Sequence, residues 1–424
     1  MGKAMSVYEN ILILCAFLLE VFLLVRIEKR LWGTLFTPLN ALALPFTAIL
    51  LITLCLPSSL GFVPFYYPCL LIWMGGLLLM AVPSWLLGYG FHKRYGEPKY
   101  TFSPIQHERA FYILTLLLIV PFVFRLKTMM ATSLELFGSD EFGENFAVYG
   151  LFGHLLIFLC ACSILSFISV GKGNRILPIL IITLIAALTF VNQVKSWVMI
   201  PLIAGFWLCL MTNRIRLSWK LIIPVFVGGI LLFVGSYLVI FILGSGATYD
   251  DHMGEYIGQH VIHYLCSGVL GMSEDLRVGI LETENPDILF APFINMIHSL
   301  TGDDAYISPI NSHFIEINTN TALQDNVRTY FGTIYVNCPI WLFGIIVMFW
   351  GYVLYLIRIL TLRTLSIFIA AIDSWMCALL CMGWFEYYFF HVTTYEIPIY
   401  LLLLMVLNKL SVGKQNGNDH TSQL

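Results

Sequence analysis

The chain has 424 residues, 59% of them hydrophobic and 11% charged, with a mean hydropathy of +0.85 and a formal net charge of −3. A soluble domain carries about 25% charged residues, so the solvent around most of this chain is lipid and a soluble globular fold is excluded. The charge balance also excludes the basic footprint of a nucleic-acid binder.

A bilayer core of ~30 Å is crossed by about 20 apolar residues in helix. On that criterion the chain holds eleven spans: 7–25, 39–56, 69–91, 110–126, 147–169, 176–192, 196–212, 219–243, 338–358, 364–383 and 393–410. The first lacks a basic leader beyond Lys3 and ends in Arg26, Glu28, Lys29 and Arg30 instead of a cleavage site, so it is expected to be retained as a helix. Spans 176–192 and 196–212 are short and separated only by Gln193, Val194 and Lys195, which predicts a tight hairpin. The expected class is an all-α polytopic membrane protein. It divides into an N-terminal bundle (1–243), one large polar loop (244–337), three C-terminal helices (338–410) and a disordered tail (411–424).

Lysine and arginine placement sets the orientation. With the N-terminus outside, 16 of the 22 basic residues fall in inner loops, Arg358 and Arg363 among them. The expected topology is therefore N-terminus out and C-terminus in, with loop 244–337 extracytoplasmic. Most cysteines lie in apolar runs and read as small core residues. Cys266 and Cys338 would both lie on the outer side, where a disulfide between them is open but has little support in the sequence.

Few cations remain outside, and each either snorkels to lipid phosphate or meets an anionic ligand. Arg125 and Lys127 end the fourth span. Lys195 sits at the tip of the short hairpin, where a charge at membrane level needs a partner. The large loop carries twelve acidic residues against Arg277 and Arg328. Arg277 follows Glu274 and Asp275, so it either pairs locally or forks a phosphate with its planar guanidinium. Arg328 stands just before the ninth span. His260 and His263 are neighbours if helical, but no carboxylate completes a metal set in that run. Glu20 and Asp373 are carboxylates within spans. Glu386, His391 and Glu396 are expected to cap the last exterior loop, around the aromatic run Tyr387-Tyr388-Phe389-Phe390, which reads as an interfacial belt. No phosphate-binding glycine loop, HExxH or GxSxG occurs.

The run Asn326-Val327-Arg328-Thr329-Tyr330-Phe331-Gly332-Thr333-Ile334-Tyr335, followed by Cys338-Pro339-Ile340-Trp341-Leu342-Phe343-Gly344, is similar to a motif of the Wzy-type oligosaccharide repeat-unit polymerases, which build O-antigen and capsule. The stretch Tyr264-Leu265-Cys266-Ser267-Gly268-Val269, Lys195 in the hairpin and the single large outer loop resemble the same family. The likeness covers roughly residues 190–355 and departs at Asn337-Cys338-Pro339, where members carry an acidic residue and a glycine. It implies a GT-C-like bundle in the bacterial plasma membrane that transfers a growing glycan from undecaprenyl pyrophosphate to a lipid-linked repeat unit, without metal, nucleotide or other cofactor. Implied partners are both lipid-linked glycans, membrane lipids, a chain-length regulator and a flippase. The implied base is Asp325, Glu255 or His263. The implied substrate contacts are Lys195, Arg277, Arg328, Tyr330, Tyr264 and Arg125. The rival readings are an O-antigen ligase, which transfers the same glycan to another acceptor, a polysaccharide flippase or secondary transporter, and a non-enzymatic assembly partner.

Overall fold

The computed structural model describes residues 6–56, 58–132, 140–143, 145–146, 150–170, 176–191, 195–244, 251–279, 285–311, 313–320 and 324–421. All eleven apolar stretches are helical: α1 (Val7–Trp32), α2 (Pro38–Leu54), α3 (Cys69–Tyr95), α4 (Glu108–Thr132), α5 (Gly150–Ser166), α6 (Ile176–Val191), α7 (Lys195–Met211) and α8 (Trp219–Gly244), then, after the polar segment, α12 (Ile340–Thr364), α13 (Ile367–Cys381) and α14 (Thr393–Thr421). Among the described residues, six are long and apolar enough to cross a membrane: α1, α3, α4, α5 with its 3-10 extension to Ser169, α8 and α12. The chain is thus an all-α protein of membrane character.

Local chemistry sets the helix ends. Ser6 and Glu9 form a capping box at the start of α1, and Gly33, at φ 67°, closes its other end. Thr37 caps α2 and Pro38 occupies its first turn, where the missing N–H costs nothing. His92, Lys93 and Arg94 fill the last turn of α3, opposite the partial negative charge of its carbonyls.

The predicted loop 244–337 is largely helical. It holds α9 (Asp251–Val278), a 3-10 turn (Pro286–Phe290), α10 (Ala291–Thr301), a two-stranded antiparallel ladder of β1 (Ile315–Glu316) and β2 (Gln324–Asp325), and α11 (Tyr330–Asn337). A segment with alternating apolar and polar residues reads as polar on average, yet α9 and α11 bury apolar side chains such as Cys266, Leu270, Phe331 and Ile334.

The chain forms two compact units. Unit 1 comprises residues 1–99, 262–359 and 379–394; unit 2 comprises 100–261, 360–378 and 395–424. Within unit 2, α5 packs on α6 and α7, and Phe167 seats against Gly205 of α7. His154 pairs with Glu396 at 2.9 Å. Asp373 is buried and accepts from Cys377 at 3.7 Å, a structural contact within one helical turn.

Within unit 1, α1 packs along α3, and Gly88 gives way to Leu31. Arg358, expected as an inner-loop cation, is instead fully buried on α12 and donates to the Phe36 carbonyl at 2.6 Å. Glu28, also buried, accepts from Ser84 and from the Tyr355 hydroxyl at 2.6 Å. Buried charge of this kind persists only where partners replace water. Cys266 and Cys338 are both buried and form no disulfide, and the Cys338 thiol donates to the Ile334 carbonyl at 2.9 Å. Cys266 packs with Leu270, Ile315 and Ile317 in a small core beneath α9.

The aromatic run is not an interfacial belt. Tyr387, Tyr388, Phe389 and Phe390 are all fully buried. The Trp350 indole of α12 donates to Tyr387 at 2.7 Å, and its ring lies 4.4 Å from Phe389. Trp350 is ten residues along α12, ~15 Å at 1.5 Å per residue. The segment after α13 therefore folds back along α12.

Candidate functional site: two carboxylates gathered against one helix

Two segments distant in sequence meet on the second half of α9. Gly268 lets the turn after α13 approach so closely that a Cβ there would sit 2.5 Å from the Trp384 and Phe385 carbonyl oxygens. One turn on, a Cβ at Gly271 would sit 2.7 Å from the Val327 carbonyl oxygen. One helical face thus docks residues 325–328 beside residues 384–386. The two segments also join directly, because the Tyr330 N–H donates to the Gly383 carbonyl at 2.6 Å.

This docking gathers Asp325 and Glu386. Asp325 ends β2, is 6% exposed, and accepts the Val327 N–H at 3.0 Å. Ser267 of α9 is within hydrogen-bonding reach of its carboxyl. Glu386 is half-buried and lies near enough for the two charges to repel. Burial pushes Asp325 up to about 6, against the pull of the Val327 N–H and the Arg328 guanidinium. Burial pushes Glu386 further, to about 8, and Asp325 raises it in the same direction. At neutral pH the pair therefore holds one ionised and one protonated carboxyl, able to take a proton and to give one. His391, nearby in sequence, is pushed down to about 4 by burial and stays neutral.

Arg328 holds the arrangement in place. It is 2% exposed and forks Asp275 of α9, through Nε to Oδ2 and Nη2 to Oδ1, the latter at 3.0 Å. Its Nη1 donates to the Val327 carbonyl at 2.9 Å and to the Asp325 carbonyl at 3.4 Å. The guanidinium is thus engaged on all three nitrogens within the protein. The side chain expected to contact a phosphate thus spends its donors on Asp275 and two backbone carbonyls in this structure.

Other expected contacts fall in different places. Tyr264 is exposed, one turn from Ser267, and stacks on Phe385 with ring centroids 6.1 Å apart, so it flanks the pair. Tyr330 is 1% exposed and packs on Tyr387 and Phe389 within the core of unit 1. His263 is buried beside Tyr264. Arg277 is bound to Glu274, its Nε donating at 2.6 Å, so the local ion pair prevails. Glu255 lies in unit 2, exposed on the first turns of α9, where Gln259 donates to it at 3.4 Å. Arg125, also in unit 2, sits 4.3 Å over the Phe152 ring and donates to the Asn145 carbonyl. Lys195 begins α7, and its side chain lies outside the described residues. Among the described residues, no group of three or more His, Cys, Asp or Glu side chains is arranged to hold a metal ion.

Sequence reading named Glu386 as a loop cap, Asp275 as a neighbour of Arg277 and Ser267 in the family-like stretch, but gave none of them a role in the site. The available signal was a glutamate directly before four aromatic residues in a chain so poor in charge. Its charge repulsion with Asp325, 61 positions away, arises only from the tertiary fold.

Residues 61–414 match the sequence profile of DUF6337, a family of unknown function, and the chain belongs to that family. No curated protein and no solved structure matches the chain.

Proposed function

We propose that this DUF6337 member is a glycosyltransferase that joins lipid-linked oligosaccharide repeat units into a surface polysaccharide. The observation that carries the reading is the Asp325–Glu386 pair, an acid–base couple set in a helical membrane chain beside the exposed Tyr264. In this reading the chain crosses the bacterial plasma membrane eleven times, with the N-terminus outside, the C-terminus in the cytoplasm and residues 244–337 on the outer face. Donor and acceptor are glycans on undecaprenyl pyrophosphate.

The acceptor hydroxyl attacks the anomeric carbon of the donor sugar. A new carbon–oxygen bond forms as the bond to the pyrophosphate oxygen breaks, and the pyrophosphate leaves with the electron pair. Asp325 takes the hydroxyl proton, which a carboxylate held near 6 does without being too weak a base. Glu386, protonated at neutral pH, donates a hydrogen bond to an oxygen of the reacting sugars. Lys195 contributes charge opposite the leaving group. A ligase uses the same chemistry with a different acceptor, so the product separates the two.

The experiment is complementation of a gene-deletion strain with Asp325→Asn. The wild type restores a ladder of long glycans. The variant, at equal membrane abundance, is expected to leave single repeat units on the carrier. A full ladder from Asp325→Asn would overturn the assignment.

A further inference from the structure

Helix α10 carries an apolar stripe on its exposed side. Phe293, Met296, Ile297 and Leu300 are 40%, 56%, 55% and 80% exposed. Their spacing, i, i+3, i+4 and i+7, places all four on one face. The opposite face is fastened. Asn295 brackets the Ile307 backbone, donating to its carbonyl and accepting its N–H, both at 2.8 Å. His298 Nδ1 meets the Ala305 carbonyl at 2.7 Å, and Gly302, at φ 75°, turns the chain back. Ala291 and Pro292 are buried at the other end. The stripe therefore cannot rotate inward.

A contiguous apolar patch of this kind is rare against water, and three observations identify what covers it. First, unit 1 already presents apolar side chains of similar exposure on its membrane-character helices: Leu12, Leu19 and Phe22 of α1, and Ile345 and Phe349 of α12. Second, α10 continues directly from the 3-10 turn at Pro286–Phe290, which packs on α11, and α11 packs on α3 and ends two residues before α12. The helix therefore departs from the level at which α12 begins. Third, no lysine or arginine lies between Arg277 and Arg328, while Asp303 and Asp304 sit exposed just past the end of α10. The stripe is thus suited to neutral acyl chains and not to anionic headgroups or an acidic partner. An amphipathic helix with an exposed apolar face lies in the interface plane, that face ~5–10 Å into the headgroup boundary.

We propose that α10 is an interfacial helix whose Phe293, Met296, Ile297 and Leu300 insert among the acyl chains of the adjacent leaflet. The inference stands apart from the proposed catalysis. It is tested on the full-length chain in phosphatidylcholine nanodiscs, with the exposed Cys15 and Cys55 replaced by serine. A spin label is attached at Met296→Cys, Leu300→Cys or Asp304→Cys in turn. Collision with oxygen, which partitions into lipid, is compared with collision with a water-soluble nickel chelate. The expected result is oxygen-dominated relaxation at 296 and 300 and nickel-dominated relaxation at 304. Nickel access at 296 and 300 equal to that at 304 would overturn the proposal in favour of a water-facing stripe. Shielding from both reagents would overturn it in favour of a protein cover, such as a second copy of the chain.

Discussion

Asp325 and Glu386 are both carboxylates, and their surroundings set them to different protonation states at neutral pH. Asp325 keeps backbone and guanidinium partners that favour its charge, whereas burial and the charge of Asp325 both act against ionisation of Glu386. If Asp325 is the base and Glu386 the donor, elongation rises with pH through about 6 and falls above about 8. Glu386→Gln copies the protonated form. It is expected to remove the alkaline limb and leave the acid limb in place, read from initial rates with a defined lipid-linked unit. Unchanged limbs in this variant would remove Glu386 from the mechanism. The same shift has a stability counterpart. A carboxyl raised on folding binds its proton in the native chain where the unfolded chain has released it. Stability then falls as pH rises from the ordinary glutamate range through about 8. Thermal midpoints of wild type and Glu386→Gln should therefore diverge between pH 5 and 9, with the variant the more stable at the alkaline end.

At the scale of elements, α9 organises the site by what it lacks and by what it pairs. Gly268 and Gly271 leave room for two backbones, and Asp275 captures Arg328. Breaking a buried pair by removing one partner costs ~3–5 kcal/mol, because the other charge stays buried alone. Arg328→Ala is expected to lose about that much, measured by denaturation in detergent, and Asp275→Ala/Arg328→Ala less than the sum of the single changes. Strict additivity would mean that the fork carries no coupling. Arg328→Lys keeps the charge but not the planar fork, so it should fall between wild type and Arg328→Ala. A phosphate-binding role would instead leave stability intact and raise the substrate requirement alone.

At the scale of the molecule, the connector between α2 and α3 and the strand segment of the polar region belong to one end of unit 1. Val63 donates to the Ile317 carbonyl at 3.0 Å, and Thr319 donates to the Gly61 carbonyl at 2.9 Å. A single topology must therefore put residues 59–63 and 315–320 on the same side of the membrane. In intact cells, a membrane-impermeant thiol reagent is expected to label Asp304→Cys and to spare Lys99→Cys. The reverse pattern would place residues 244–337 in the cytoplasm and end the proposal of transfer at the outer face.

The sequence by itself determined the helices and the membrane character. Lipid demands about 20 apolar residues and internally satisfied backbone, so composition and length are enough to locate such elements. The family resemblance also implied Asp325 as a base, unranked beside Glu255 and His263. Only the tertiary structure decided the company each polar side chain keeps. Arg328 reads from sequence as a free cation and is consumed by Asp275, 53 positions away. The aromatic run reads as a belt and is core, and Glu386 reads as a loop cap and lies within charge-repulsion range of Asp325. Burial and charge pairing act over a few ångströms of space, and apolar periodicity along the chain carries no record of which segments will share those ångströms.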